Sequence, residues 1–352
     1  MSRKKIAVIF GGKSTEHEVS LQSAAAVLEN MNKEKYDILP IGITREGRWF
    51  HYTGPYRKVA EGTWEKEKGK LREVVPSVNL SRRGFLALSG ESFELMEADL
   101  AFPVLHGKNG EDGTVQGVFE LAGIPIIGCG ILSSALCMDK DKAHKLAALA
   151  GIKAPKSVAF GRSEREKAGE EIRKSLSFPL FVKPLRAGSS FGITKVADEN
   201  ALDSAIALAL SHDSKAIVEE AVEGFEVGCA VLGREELIVG RVDEIELSKG
   251  FFDFTEKYTL KSSRIHMPAR IDADTEKRIQ EAAKTIYRAL GCEGFARVDM
   301  FLTPDGEIVF NEVNTIPGFT AHSRYPNMMN GIGLSFAEML DKLEGLYAGG
   351  GE

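Results

Sequence analysis

Residues 295–326 read FARVDMFLTPDGEIVFNEVNTIPGFTAHSRYP, and the rest of the chain is organised around them. Two runs rich in Val, Ile and Phe flank Thr303-Pro304-Asp305-Gly306, which predicts a β-hairpin. Period-two alternation sets Arg297 and Asp299 on one face of the first strand, and Phe310, Glu312 and Asn314 on one face of the second. If the turn pairs Leu302 with Glu307, Asp299 lies opposite Phe310 and diagonal to Glu312, about 7–8 Å away at the backbone. Asp, Glu and Asn at that separation make an all-oxygen set suited to Mg²⁺, which keeps waters and binds substrate phosphates. Val298, Met300, Ile308, Val309, Phe310 and Val313 predict that both strands are buried, and buried carboxylates need a metal or a partner. A structural ion pair with Arg297 is the competing reading.

At 352 residues the chain is long for one core, so two or three domains are expected. Hydrophobic content of 43% with 27% charged residues fits a soluble globular enzyme. A net charge of −6 argues against a general nucleic-acid binder. Cys129, Cys137, Cys229 and Cys292 are scattered, with no zinc spacing, and read as reduced buried thiols. The apolar run Ile6 to Phe10 is too short for a signal segment, and no stretch reaches transmembrane length. A cytoplasmic protein without a membrane partner is the expectation.

Outward from the hairpin, Ile6 to Phe10 predicts a buried strand, Gly11-Gly12 a turn, and the following segment a helix ending near Asn30. This opens a doubly wound α/β unit, without a GxGxxG fingerprint. Glu16 stands at the carboxyl end of the first strand, where such sheets bind ligands; a helix-start acid is the alternative. Residues 36–53 predict further strands, and the charge run 56–72 a solvated excursion. Strand 99–104 leads into a glycine-rich loop with His106, either functional or a hydrogen-bonded structural histidine. A helix over 114–122 and a short last strand at 124–127 follow.

Residues 131–150 predict one amphipathic helix carrying Lys140, which alone reads as a solvated lysine. Strand 178–184 carries Lys183 into the loop 185–192, which suits phosphate through backbone N–H groups or is a plain Gly-Ser turn. Strands follow at 216–222, 226–232 and 236–242, and Glu219, Glu220 and Glu226 by themselves read as acidic surface. Residues 246–268 are a long connection with aromatics suited to docking over something. A helix over 275–290, capped by Asp274, and a last helix over 335–346 complete the chain.

ARVDMF, NEVN and TIPGFT together resemble the metal-binding end of an ATP-grasp ligase. HGKNGEDGT and PGFTAHSRYP resemble the D-alanine–D-alanine ligase family, and SRYP its vancomycin-resistance branch, nearest the VanG-type D-alanine–D-serine ligases. The resemblance implies an N-terminal Rossmann-like doubly wound domain over 1–130. A two-part α+β ATP-grasp fold follows, with a central subdomain over 131–215 and a C-terminal one over 216–352, including an ω-loop at 246–268. It implies ATP with Mg²⁺ or Mn²⁺, D-alanine and D-serine as substrates, and a homodimer. Ordinary D-alanine–D-alanine ligation is the alternative.

By the same resemblance Glu16 binds the first D-alanine's amino group, His106 lies by its carboxyl group, and Ser189 and Tyr258 link to Glu16. Lys140 and Lys183 meet phosphates; backbone groups near Glu220 and Val222 read adenine; Glu219 also binds the nucleotide, and Glu226 the ribose. Arg297 and the Gly318 N–H face the oxyanion, Lys257 and Ser323 the second carboxylate, and Asp299, Glu312 and Asn314 hold metal. Arg324, Asp243 and Phe252 are the candidates for the D-serine pocket, with Asp243 alternatively a structural partner of Arg324.

Overall fold

The computed structural model describes residues 3–188, 191–247, 263–320 and 322–348. Three sheets carry the chain. The first begins with β1 (Lys4–Gly11), whose apolar run is buried between α1 (His17–Asn30) and a second layer. β2 (Tyr36–Ile43) pairs with β1 in parallel, and β3 (Trp49–Tyr52) turns back antiparallel. After α2 (Tyr56–Ala60) come β4 (Leu71–Ser77), β5 (Gly84–Ser89), β6 (Ser92–Glu97) and β7 (Leu100–Pro103), which returns beside β1. The order is β6-β5-β4-β3-β2-β1-β7, a parallel centre with an antiparallel extension.

Next come α3 (Thr114–Leu121), α4 (Ile131–Met138) and α5 (Lys140–Leu149). The second sheet is antiparallel, of order β10-β9-β11-β8. It holds β8 (Ser157–Gly161), β9 (Leu180–Pro184), β10 (Thr194–Val196) and β11 (Lys215–Glu220), with α6 (Arg165–Ser175) and α7 (Leu202–His212) packed on it. The third sheet is also antiparallel: β12 (Phe225–Gly233), β13 (Leu237–Leu247), β14 (Ser263–His266), β15 (Gly294–Leu302) and β16 (Ile308–Asn314). Against it lies α8 (Ala273–Ala289), whose Ile279, Ala282, Ala283 and Ile286 are buried as the 3.6 period requires. Short α9 (Arg324–Asn330) and α10 (Phe336–Ala348) close the chain. Among the described residues no helix is long and apolar enough to cross a membrane.

Several expectations are corrected. The hairpin turn spans 303–307, with Thr303 N–H donating to Glu307 O, so Leu302 pairs with Ile308 rather than Glu307. That register sets Phe310 opposite Met300, on the face of Val298, and a β-bulge at Asn311 then sets Asp299 directly opposite Glu312. The 131–150 segment is two helices, because Asp139 leaves helical geometry and caps α5 by accepting from Lys142 N–H. The cap of α8 is Asp272, not Asp274. Residues 124–127 form only a bridge from Ile126 to Ala101. The charge run 56–72 hides Val59 and Trp64, both fully buried in the core with Phe10 and Tyr52, so it is no mere excursion.

Candidate active site

Between the second and third sheets lies a cavity of about 580 Å³. Lys140, Lys183, Glu219, Glu220, Val222 and Glu226 all line it, together with Glu312 and the rings of Phe181 and Phe301. Lys140 opens α5, where the Asp139 cap fixes the first turn; its Nζ donates to Ala187 O at 3.2 Å and lies 3.7 Å from the Glu312 carboxylate. Lys183, on β9, sits beside β11 and meets Glu219 Oε2 at 2.6 Å. Burial pushes the Glu219 carboxyl up, but Lys183 first, with His144 and Lys140, more than cancels this and the group stays below the usual range. Two lysines and carboxylates on one cavity suit a polyphosphate with its cation.

The hairpin presents Asp299, Glu312 and Asn314 on one face. Asp299 is buried and accepts from Arg297 Nε at 2.8 Å and Nη2 at 2.7 Å, and from Asn314 Nδ2 at 2.9 Å. The Arg297–Asp299 ion pair weighed as a structural alternative is therefore present. Among the described residues no group of three His, Cys, Asp or Glu is set to hold a metal. Two facing carboxylates with one amide still fit a hard cation that takes its other oxygens from phosphates.

The His106 loop of the first sheet comes up beside the hairpin, where Glu111 lines a small pocket with Lys140, Gly188, Glu312 and Asn314. A methyl on Gly107 or Gly188 would lie 2.5 or 2.9 Å from Glu16 Oε2, so the Glu16 carboxylate sits between the His106 loop and the 185–192 loop. His106 is buried, with Nδ1 2.8 Å from Ile316 O and Nε2 3.1 Å from Ser23 Oγ. The carbonyl only accepts, so Nδ1 carries the proton. Burial holds the imidazole neutral, below its ordinary pKa. Glu111, on the same loop, accepts from Ile316 N–H at 3.2 Å and Gly107 N–H at 2.8 Å. Burial first, then the Glu16 charge, push its carboxyl up to about 8. Both loop residues grip the backbone of Ile316, two residues before Gly318; His106 acts on that loop rather than presenting an unused nitrogen. Ser323 Oγ accepts from Thr320 N–H at 3.0 Å, across the turn that follows Gly318.

Arg324, at the start of α9, is largely buried and bidentate to Asp243 at 2.7 Å on both oxygens. Its Nη1 meets Glu226 at 3.0 Å, and its Nη2 lies 3.4 Å from Asp299. Gly228 makes room for this: a methyl there would overlap Arg324 and lie 2.7 Å from Asp243 Oδ1. Asp243 is thus a structural partner of Arg324. Ser189, Phe252, Lys257 and Tyr258 lie outside the described residues, as do 248–262 of the 246–268 connection. Glu111, His144 and Gly228 were not singled out from sequence. Glu111 stands in the quoted HGKNGEDGT motif, and His144 follows Lys140 by one helical turn, so those two had a signal.

Models described as D-ala D-ala ligase N-terminus and D-ala D-ala ligase C-terminus match residues 5–129 and 146–344. The chain belongs to the D-alanine–D-alanine ligase family. It is similar to a solved VanG D-Ala:D-Ser ligase from Enterococcus faecalis, with 69% identity and a TM-score of 0.93 over 98% of this chain and 100% of that one. It is 46% identical to the vancomycin/teicoplanin A-type resistance protein VanA of Enterococcus faecium, over 97% of this chain and 98% of that protein. A D-alanine–D-alanine ligase of Caldicellulosiruptor bescii is 42% identical over 97% and 94%. The fold is that of the D-alanine–D-alanine ligase ATP-grasp structures, and the family is one of ATP-dependent ligases acting on small amino acids.

Proposed function

We infer that this D-alanine–D-alanine ligase family member joins D-alanine to D-serine through a D-alanyl phosphate, releasing ADP and phosphate, for peptidoglycan precursors that confer vancomycin resistance. The observation that carries the chemistry is the single cavity onto which Lys140, Lys183, Glu219 and Glu312 converge. Similarity to the VanG D-Ala:D-Ser ligase supports D-serine as second substrate.

A carboxylate is a poor acyl donor, so its oxygen attacks the γ-phosphorus of ATP and ADP leaves. The amine of the second amino acid attacks the acyl carbon, and phosphate leaves with the C–O bond. Lys140 and Lys183 spread phosphate charge, and Arg297 with the Gly318 N–H meets the oxyanion. Asp299, Glu312 and Asn314 would hold Mg²⁺, which supplies charge neutralisation on phosphate oxygens when bound. Glu16 orients the first amino group, and His106 and Glu111 hold the 315–319 loop.

Ordinary D-alanine–D-alanine ligation is a second reading, and one observation favours it: Arg324 is occupied by Asp243, Glu226 and Asp299. ATP-dependent phosphate release with each D-amino acid pair, followed by product identification, separates the two. Release that requires D-alanine alone and ignores D-serine would exclude the first reading.

A further inference from the structure

Beta-strand parity makes the position of Glu312 a problem. With Leu302 opposite Ile308 and Met300 opposite Phe310, an unbroken ladder would pair Asp299 with Asn311 and Val298 with Glu312. Glu312 would then point into the apolar layer of Val298, Met300 and Phe310. The bulge at Asn311 alone returns Glu312 to the face of Asp299. A bulged residue leaves backbone groups outside the ladder, and a buried one needs a partner.

That partner is on α5. His144 Nε2 lies 2.8 Å from Asn311 O, and a carbonyl only accepts, so Nε2 donates. His144 stands one helical turn after Lys140, so the helix face that brings Lys140 to 3.7 Å from Glu312 also brings this imidazole to the bulge. The ring is buried and packs edge-on to Phe310, with centroids 5.5 Å apart. Its other nitrogen, Nδ1, faces Glu219 Oε1 at 3.8 Å, and neither atom has a hydrogen-bond partner among the described residues. Glu219 lines the cavity.

We propose that His144 is a positioning residue for nucleotide and cation binding: its Nε2–H holds the Asn311 bulge that presents Glu312 to the cleft. The proposal rests on the cleft being a nucleotide–cation site. It is independent of which D-amino acid is joined.

The test needs no turnover. Mn²⁺ is titrated into the full-length protein with ADP, and free Mn²⁺ is read by electron paramagnetic resonance. His144→Gln keeps an amide N–H near the Nε2 position. His144→Asn puts its amide at the Nδ1 end, and His144→Leu has no donor. The Asn and Leu variants are expected to bind Mn²⁺·ADP about fivefold to tenfold more weakly, the worth of one net hydrogen bond, with Gln within about twofold of the parent chain. A general loss of packing would lower all three alike. Equal affinity in the Asn variant and the parent chain overturns the proposal, as does Gln binding no better than Asn. Should Leu fail to fold, the Gln–Asn pair decides. Absence of Mn²⁺·ADP binding by the parent chain overturns the nucleotide reading itself; binding by the parent chain with no change in any variant overturns only the role of His144.

Discussion

Arg324 balances Asp243, Glu226 and Asp299 in a largely buried cluster that opens at Glu226 onto the cavity. Removing one partner of a buried ion pair leaves uncompensated charge, so Arg324→Leu should lose about 3–5 kcal/mol of stability, read by urea unfolding. A loss under about 1 kcal/mol would contradict the buried cluster. Adding Asp243→Leu should recover part of the loss, because the charge left most directly facing Arg324 goes with it. From sequence, SRYP flagged Arg324 but not its network, since the three acids come from β12, β13 and β15.

Glu344 behaves differently at the same scale. It is buried on α10, both its oxygens lack hydrogen-bond partners among the described residues, and burial raises its carboxyl to about 8. The folded chain therefore holds this proton across a window, from about 4.5 to about 8, in which the unfolded chain has released it. Stability contributed by protonated Glu344 is present below that window and lost as pH rises through it. Glu344→Gln should unfold at higher urea than the parent chain at pH 9 and show a smaller gain at pH 5. Equal gains at both pH values would contradict the assignment.

Among elements, what the sequence made legible followed local patterning. β1, β7, β12 and α8 sit where apolar runs and helical periodicity put them. The shared face of the hairpin was legible too, since Arg297, Asp299, Glu312 and Asn314 do lie together on it. Its register was not, because the bulge is held by His144, on a helix 167 residues away in the chain. The break between α4 and α5 had a local signal in Asp139, which the helix-forming residues on either side masked. Trp64 was hidden for a similar reason: Lys and Glu surround it in sequence, while its ring packs on Phe10. Asp139→Ala should cost about 1 kcal/mol by thermal unfolding. It should also weaken ADP binding, because the capped turn carries Lys140. Loss of stability with unchanged ADP affinity would separate the cap from the site.

At the scale of the whole molecule, Phe102 of the first sheet packs on Phe295 and Phe319, with ring centroids 5.9 and 6.1 Å away. This joins the first sheet to the hairpin, and the His106 loop meets the 315–319 loop through the bonds of His106 and Glu111 to Ile316. No single stretch of sequence announces that meeting; it was legible only through the family resemblance. Removing divalent cations with a chelator should stop ATP-dependent phosphate release, with recovery on adding Mg²⁺ or Mn²⁺. Release that persists in chelator would contradict the roles proposed for Asp299, Glu312 and Asn314.

The most direct test of the proposed activity gives the protein ATP, Mg²⁺ and equal concentrations of D-alanine and D-serine, and identifies the dipeptide. Phosphate release with mostly D-alanyl-D-serine is the predicted result. Mostly D-alanyl-D-alanine would contradict the D-serine assignment, and no dipeptide from either would contradict the ligase mechanism.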